Sequence, residues 1–254
     1  MNKYLQNLNK IEFVLTYACT GKCRHCSEGE RLSCTERIDP DAAADAVCKI
    51  AKEYDIKTVL AFGGEPLLHI DALVSVISAA KACGIPKRQV ITNGYFSTDA
   101  EKIKDTAKRL FECGVNDLLL SVDAFHQETI PLNTVEIFAR EAKNEGLSIR
   151  LSPAWLVSRE NDNKYNKETK EIIESLGHLK IPCAEGNVVF PEGNAIKFLS
   201  EYFVNNVAPN PYAEDPCNVK CISFSPNGDV LDGNLYEKDI MDIIRNYTPQ
   251  EREK

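Results

Sequence analysis

Three cysteines stand at close intervals in CTGKCRHC, at positions 19, 23 and 26, directly after the apolar run IEFVLTY. Three thiols are an odd number for disulfides and one short of a closed tetrahedral zinc site. Zinc would have to take a fourth ligand from nearby, with His25 or Cys34 as the choices. An iron–sulfur cube is the alternative: three thiolates hold three irons and leave the fourth open to an exchangeable ligand, whereas fully protein-held clusters take four cysteines. A third reading, three core thiols, needs no metal. At the end of the next apolar run the chain reads GGEP, residues Gly63, Gly64, Glu65 and Pro66. Two residues without side chains bare the backbone beside a carboxylate and a rigid proline. Such a strand edge can hold a ligand amine, and a ligand with both an amine and a carboxylate could chelate the open iron.

These residues need elements that bring them together. Runs with strand character at 11–17, 57–63, 88–93, 116–123, 148–155 and 186–190 alternate with helix-periodic stretches such as DPDAAADAVCKIAKEY, which carries an Asp cap and a first-turn Pro. Strict βα alternation with apolar runs predicts an α/β fold with a parallel sheet covered by helices. Six units are too few for the complete eight-fold barrel, so an open partial barrel or a doubly wound sheet remains. Both gather the carboxyl ends of the strands at one mouth. There the sequence places Cys19, Cys23 and Cys26, then the GGEP edge, then Asn93, then Ser121, Asp123, His126 and Gln127, and finally Ser152. Beyond about residue 195 the alternation stops. The tail contains SFSPNGDVLDG, where Asn-Gly predicts a hairpin, and reads as a small extension packed on the barrel. The expected division is 1–195 for the barrel and 196–254 for the extension.

Composition narrows the function. The chain of 254 residues has a formal net charge of -8, against nucleic-acid or membrane-surface partners, which attract a surplus of Lys and Arg. No signal segment opens the sequence and no apolar run approaches the roughly 20 residues of a bilayer span, so a cytoplasmic location is expected. Ten cysteines in a chain this long read as ligands, reactive groups or core residues rather than a disulfide scaffold. Cys48, Cys83 and Cys113, on apolar helical patterns, are expected to be buried packing.

Taken together, CX3CX2C and GGEP one βα unit later resemble the radical S-adenosylmethionine (SAM) superfamily. The resemblance covers roughly residues 11–195 and implies a partial (β/α)6 barrel. It implies that Cys19, Cys23 and Cys26 bind a 4Fe–4S cluster whose unique iron is chelated by the amino and carboxylate groups of SAM. Reductive cleavage would then give a 5′-deoxyadenosyl radical that abstracts hydrogen from a substrate. By the same resemblance His25 lies near the adenine, Gly63, Gly64, Glu65 and Pro66 meet the methionine amine, and Asn93 with Ser121 or Asp123 reaches the carboxylate or ribose. Ser152 and Val189 match looser motifs of the fifth and sixth strands. An electron donor such as a flavodoxin or ferredoxin is implied as well.

The tail has a resemblance of its own. Cys217 and Cys221, before ISFSPNGDVLDGN, resemble the SPASM or twitch extensions of radical SAM maturases, and with Cys183 they could hold a second, auxiliary iron–sulfur cluster. The hairpin lacks the family's closing cysteine, having Gly233 there, so core or redox-labile thiols are the other reading. Asp123, His126 and Gln127 are the candidate catalytic residues, beside the expected radical, although His126 could equally cap a helix. The expected activity is hydrogen abstraction from a peptide or protein residue. A small-molecule substrate (nucleoside, sugar or amino acid) is the alternative, and a non-catalytic iron–sulfur redox sensor the alternative outside enzymes. The sequence is silent on oligomeric state.

Overall fold

Burial on one side of each strand builds the sheet. The computed structural model describes residues 2–29, 34–204 and 209–249. In chain order β1 (Lys10–Val14), α1 (Pro40–Glu53), β2 (Thr58–Phe62), α2 (Ile70–Ala82), β3 (Lys87–Thr92), α3 (Ala100–Cys113) and β4 (Asp117–Ser121) set up the βα alternation. It continues through α4 (Ala124–Gln127), α5 (Leu132–Asn144) and β5 (Ile149–Ser152). Asp39 caps α1, its carboxylate accepting from the N–H groups of Asp41 and Ala42, with Pro40 in the first turn as expected. Strands β1 to β5 pair in parallel, each with its sequence neighbour.

Alternate residues of these strands have different fates. Ile11, Phe13, Val59, Ala61, Val90, Leu118 and Leu120 join one buried cluster with the apolar faces of the helices. The opposite, concave face is not uniformly apolar. Lys10 pairs with Glu12 there, and Asp117 collects Arg150, Lys87 and Gln89. An incomplete barrel leaves room for such charges, which a filled eight-strand interior would exclude.

The fifth expected strand is split. Pro153 offers no N–H, so the ladder breaks and resumes as β6 (Ala154–Trp155). After α6 (Lys164–Ser175), β7 (Asn187–Val188) pairs in parallel with β6. A second buried cluster, including Phe125, Leu156, Tyr165, Val189 and Leu199, supports this corner and α7 (Asn194–Leu199). Trp155 is buried and donates its indole N–H to the Glu185 carbonyl, so it packs rather than walls a pocket.

The tail departs from expectation. β8 (Cys221–Phe224), read from sequence as a hairpin arm, pairs in parallel with β1 and becomes the outer strand of the main sheet, in the order β5-β4-β3-β2-β1-β8. Its Ile222 and Phe224 side chains bury with the helix-facing residues of β1, and Phe224 stacks on Phe13 at 4.7 Å between ring centres. The Asn-Gly turn forms, with the Gly228 N–H donating to the Ser225 carbonyl, but the antiparallel pair comes later, between β9 (Asp229–Val230) and β10 (Gly233–Asn234). Helix α8 (Ile240–Asn246) closes onto the same core. Cys113 is buried as expected, whereas Cys48 and Cys83 are only part-buried, their sulfurs meeting between α1 and α2. No helix among the described residues is long and apolar enough to cross a membrane.

Phe224→Ala should lower unfolding stability by about 3–5 kcal/mol, the cost of emptying a filled aromatic site. A loss below about 1 kcal/mol in denaturant titration would mean that the tail strand is only a peripheral attachment.

Candidate active site

The loop after β1 is placed by backbone contacts with the loop after β2. The Thr16 and Ala18 carbonyls accept from the N–H groups of Gly64 and Glu65, each at 2.8 Å. A Cβ on Gly64 would stand 2.1 Å from the Ala18 oxygen, and one on Gly63 2.5 Å from the Thr16 oxygen. The two glycines are therefore required by this docking. Since those N–H groups are engaged, the carbonyl oxygens are what this edge can offer an amine.

Glu65 lies beneath, with none of its surface exposed. Its carboxylate accepts from Leu67 N–H (2.9 Å), the Thr92 hydroxyl (2.7 Å) and Asn93 N–H (2.8 Å). Burial pushes the carboxyl up to about 7, with these donors opposing. Glu65 thus ties β2 to the end of β3. Pro66 opens a 3-10 turn below it. Asn93 sits at the junction: its amide donates to Thr20 Oγ1 at 3.2 Å and reaches Cys19 Sγ at 3.6 Å.

Cys19, Cys23 and Cys26 all line one cavity, together with His25, Gly63, Gly64, Asn93, Ser121, Asp123, His126, Ser152 and Val189. Of the residues expected at the mouth, Glu65, Pro66 and Gln127 stand behind its lining. Gln127 instead accepts the Asp123 N–H at its side-chain oxygen (2.9 Å). Burial raises Cys19 to about 11 and pushes Cys23 further up, and neighbouring cysteines add to both upward shifts. Buried thiols stay protonated unless a cation draws off the proton, as a coordinating metal does. A soft three-thiolate set lining one shared cavity fits an iron–sulfur cluster.

Asp123 and His126 form the second feature. Asp123, fully buried, accepts from the N–H groups of Phe125 and His126 at Oδ1, and from His126 Nδ1 (2.8 Å) and Ala154 N–H (3.0 Å) at Oδ2. Burial alone would raise this carboxyl; the His126 ring, through charge and hydrogen bond, outweighs it and holds Asp123 at about 2. With Nδ1 committed, His126 Nε2 is the nitrogen left for a ligand. His25 packs between Phe125 and His126, ring centres 5.0 and 4.9 Å away. Burial, with His126 beside it, lowers His25 to about 4, so its ring is neutral, and its buried Nδ1 has no hydrogen-bond partner among the described residues.

Two contributors carry no signal in the sequence. Asn194 donates its backbone N–H to the Cys26 carbonyl (2.9 Å) and its side-chain amide to the Cys23 carbonyl (3.2 Å), clamping the cysteine loop from the far side of the barrel. Gly193 before it has φ +53, and a Cβ there would lie 2.2 Å from the Ser27 oxygen. Tyr212, in the irregular tail, also lines the cavity and meets Phe190 edge-on, ring centres 6.0 Å apart.

The cysteines proposed for an auxiliary cluster are placed elsewhere. Cys183 is exposed on a bridge to Leu151, Cys217 is exposed, and Cys221 stands opposite Lys10 at the starting end of β1, away from the mouth. Among the described residues, a trio of ligand-bearing side chains within 4.8 Å of one another occurs at Cys23, His25 and His126, and it includes none of these three.

Comparison with known proteins agrees with the site. Residues 13–196 match the radical SAM superfamily. The chain belongs to the radical SAM superfamily. As a radical SAM enzyme it uses a 4Fe–4S cluster and SAM, which sets aside the non-catalytic sensor. A probable GTP 3',8-cyclase of Saccharolobus islandicus is 28% identical over 215 residues, which cover 80% of this chain and 67% of that protein. Among solved structures, SuiB of Streptococcus suis bound to S-adenosylmethionine superposes with a TM-score of 0.61 at 13% identity, over 94% of this chain and 66% of SuiB. BtrN in complex with AdoMet and 2-DOIA superposes at 0.52 with 16% identity, over 97% of this chain and 84% of BtrN. At such identities the structural likeness speaks for the radical SAM fold alone.

Asn194→Ala should weaken iron retention about 10-fold, the usual cost of losing a group that orients metal ligands, with far-UV circular dichroism unchanged. Iron per chain equal to wild type after anaerobic gel filtration would show the clamp to be dispensable.

Proposed function

We propose that this radical SAM enzyme abstracts hydrogen from a small polar molecule without a polyphosphate: a nucleoside, sugar or amino acid. The observation that carries this reading is the way the tail shuts one side of the cavity. Tyr212 of the tail packs edge-on against Phe190 and both line the cavity, which supports a substrate held in a pocket. Beyond the groups assigned to SAM, the wall offers Asn187 and His126 for hydrogen bonds to a substrate. Among the described lining residues Lys22 is the single Lys or Arg, whereas a triphosphate is held by several cations. Similarity to GTP 3',8-cyclases supports a small substrate, and the scarcity of cations among the described lining residues supports one without a triphosphate. A peptide substrate, the expectation from the tail's resemblance to maturases, is the competing reading that a substrate panel tests.

In this reading Cys19, Cys23 and Cys26 hold the cluster. Carbonyls at Gly63 and Gly64 take the SAM amine, Asn93 and Ser121 face its carboxylate and ribose, and His25 lies against the adenine with Ser152 and Val189 beyond. The cluster and SAM so held would supply hydrogen-abstracting radical chemistry. Glu65 and Pro66 hold the amine edge in shape from beneath. Asp123 fixes the His126 tautomer, and His126 Nε2 faces the substrate to hold or move a proton; Gln127 anchors the Asp123 backbone. A single cluster suffices, and Cys183, Cys217 and Cys221 are ordinary thiols.

Anaerobic reconstitution should give about four irons per chain; about eight would restore the auxiliary cluster and the peptide reading. With reductant and SAM, 5′-deoxyadenosine formation should accelerate on adding a member of a panel of nucleosides, sugars and amino acids. Acceleration by GTP or by peptides alone would overturn the proposal. His126→Ala should keep iron and basal SAM cleavage but lose about 100-fold of the substrate-stimulated rate.

A further inference from the structure

Two thiols outside the site touch each other. Cys48, in α1, and Cys83, at the carboxyl end of α2, have their sulfurs 3.3 Å apart. Both are part-exposed and neither lines the cavity. The sulfurs are already in contact across two packed helices, so forming a bond between them needs a movement of little more than an ångström. Cys83 is raised to about 11, by burial first and then by its contact with Cys48; Lys52 opposes this rise. Cys113, the third thiol of the helical layer, is buried with Leu110 as its partner and has no such neighbour among the described cysteines.

We propose that Cys48 and Cys83 are a dithiol modification site that takes up a reversible disulfide. The oxidant is a small-molecule disulfide of the glutathione class. One protein thiolate attacks a sulfur of that disulfide, forms a mixed disulfide and expels one small thiolate. The neighbouring thiol, on losing its proton to solvent, then attacks the protein sulfur of the mixed disulfide and expels the second. The two protein sulfurs are oxidised, the small disulfide is reduced to two thiols, and no other reactant is needed. The bond would join the helices that follow the cysteine loop and the GGEP edge, at a place remote from both loops.

The test uses the full-length holoprotein under anaerobic conditions, equilibrated across a series of oxidised and reduced glutathione mixtures, then alkylated and digested. The expected product links the Ile38–Lys49 peptide to the Ala82–Lys87 peptide and disappears on treatment with a phosphine reductant. Oxidation should raise the melting temperature by about 5–10 °C, as closing a loop of this size restrains the unfolded chain. Cys48→Ser and Cys83→Ser proteins should lose this increment and carry one glutathione adduct on the remaining thiol, with iron content unchanged. Both thiols alkylated throughout the series while other cysteines oxidise would overturn the proposal. So would a linkage from either residue to a different cysteine.

Discussion

Everything at the mouth hangs on the contact between two glycines and a stretch of backbone. Gly63 and Gly64 let the Thr16–Ala18 segment lie directly on the end of β2, where a methyl group would collide with its carbonyls. The cysteine loop begins at the next residue. Its position is thus inherited from main-chain hydrogen bonds, which are short, directional and insensitive to side-chain motion. Glu65 extends the same arrangement to β3 by satisfying donors from Leu67, Thr92 and Asn93 at once. Three strand ends are in this way held by one buried carboxylate and two missing side chains.

The site has a second, independent support on its far side. Asp123 binds four donors and joins the end of β4 to Ala154, while Asn194 grips the carbonyls of Cys23 and Cys26. A loop with three cysteines has little regular structure of its own. Being held from β2 on one flank and from α7 on the other gives it a defined shape without a helix or strand. Low entropy at such a loop favours ligand binding, because the ordering has been done by folding.

What the sequence disclosed follows from how local each signal is. The CX3CX2C spacing and GGEP carry their chemistry within a few residues, and strand-end logic located Asn93, Ser121, Asp123 and His126 without knowledge of their partners. Strand type in the barrel was legible from short β-rich runs alternating with helix-periodic ones. The charges of Lys10, Glu12 and Asp117 on the opposite face nonetheless show that the strands are not apolar on both sides. Asn194 was not legible, since its value lies in two carbonyls 171 and 168 residues away, and an Asn after Gly reads as a turn. β8 was misread as half of a hairpin because a four-residue strand does not encode which edge it will join. The apolar side chains that settle the matter, Ile222 and Phe224, need Ile11 and Phe13 as neighbours. Cys48 and Cys83 looked like core residues for a related reason: helical periodicity separates the inner face from the outer but not the flank between two helices.

The pairing of β8 with β1 has a consequence for how the protein is made. Lys10 and its ladder partner Cys221 lie far apart in the chain, so β1 waits for a segment made long after it. Until then β1 is an open edge, with unpaired N–H and C=O groups beside the cysteine loop. The nascent chain can stack its first five strands in order of synthesis, each on the one before it, and remain incomplete on the side where it started. Phe13 has no Phe224 to stack on until the segment around β8 has been made, so a chain arrested before that point would keep the β1 edge exposed.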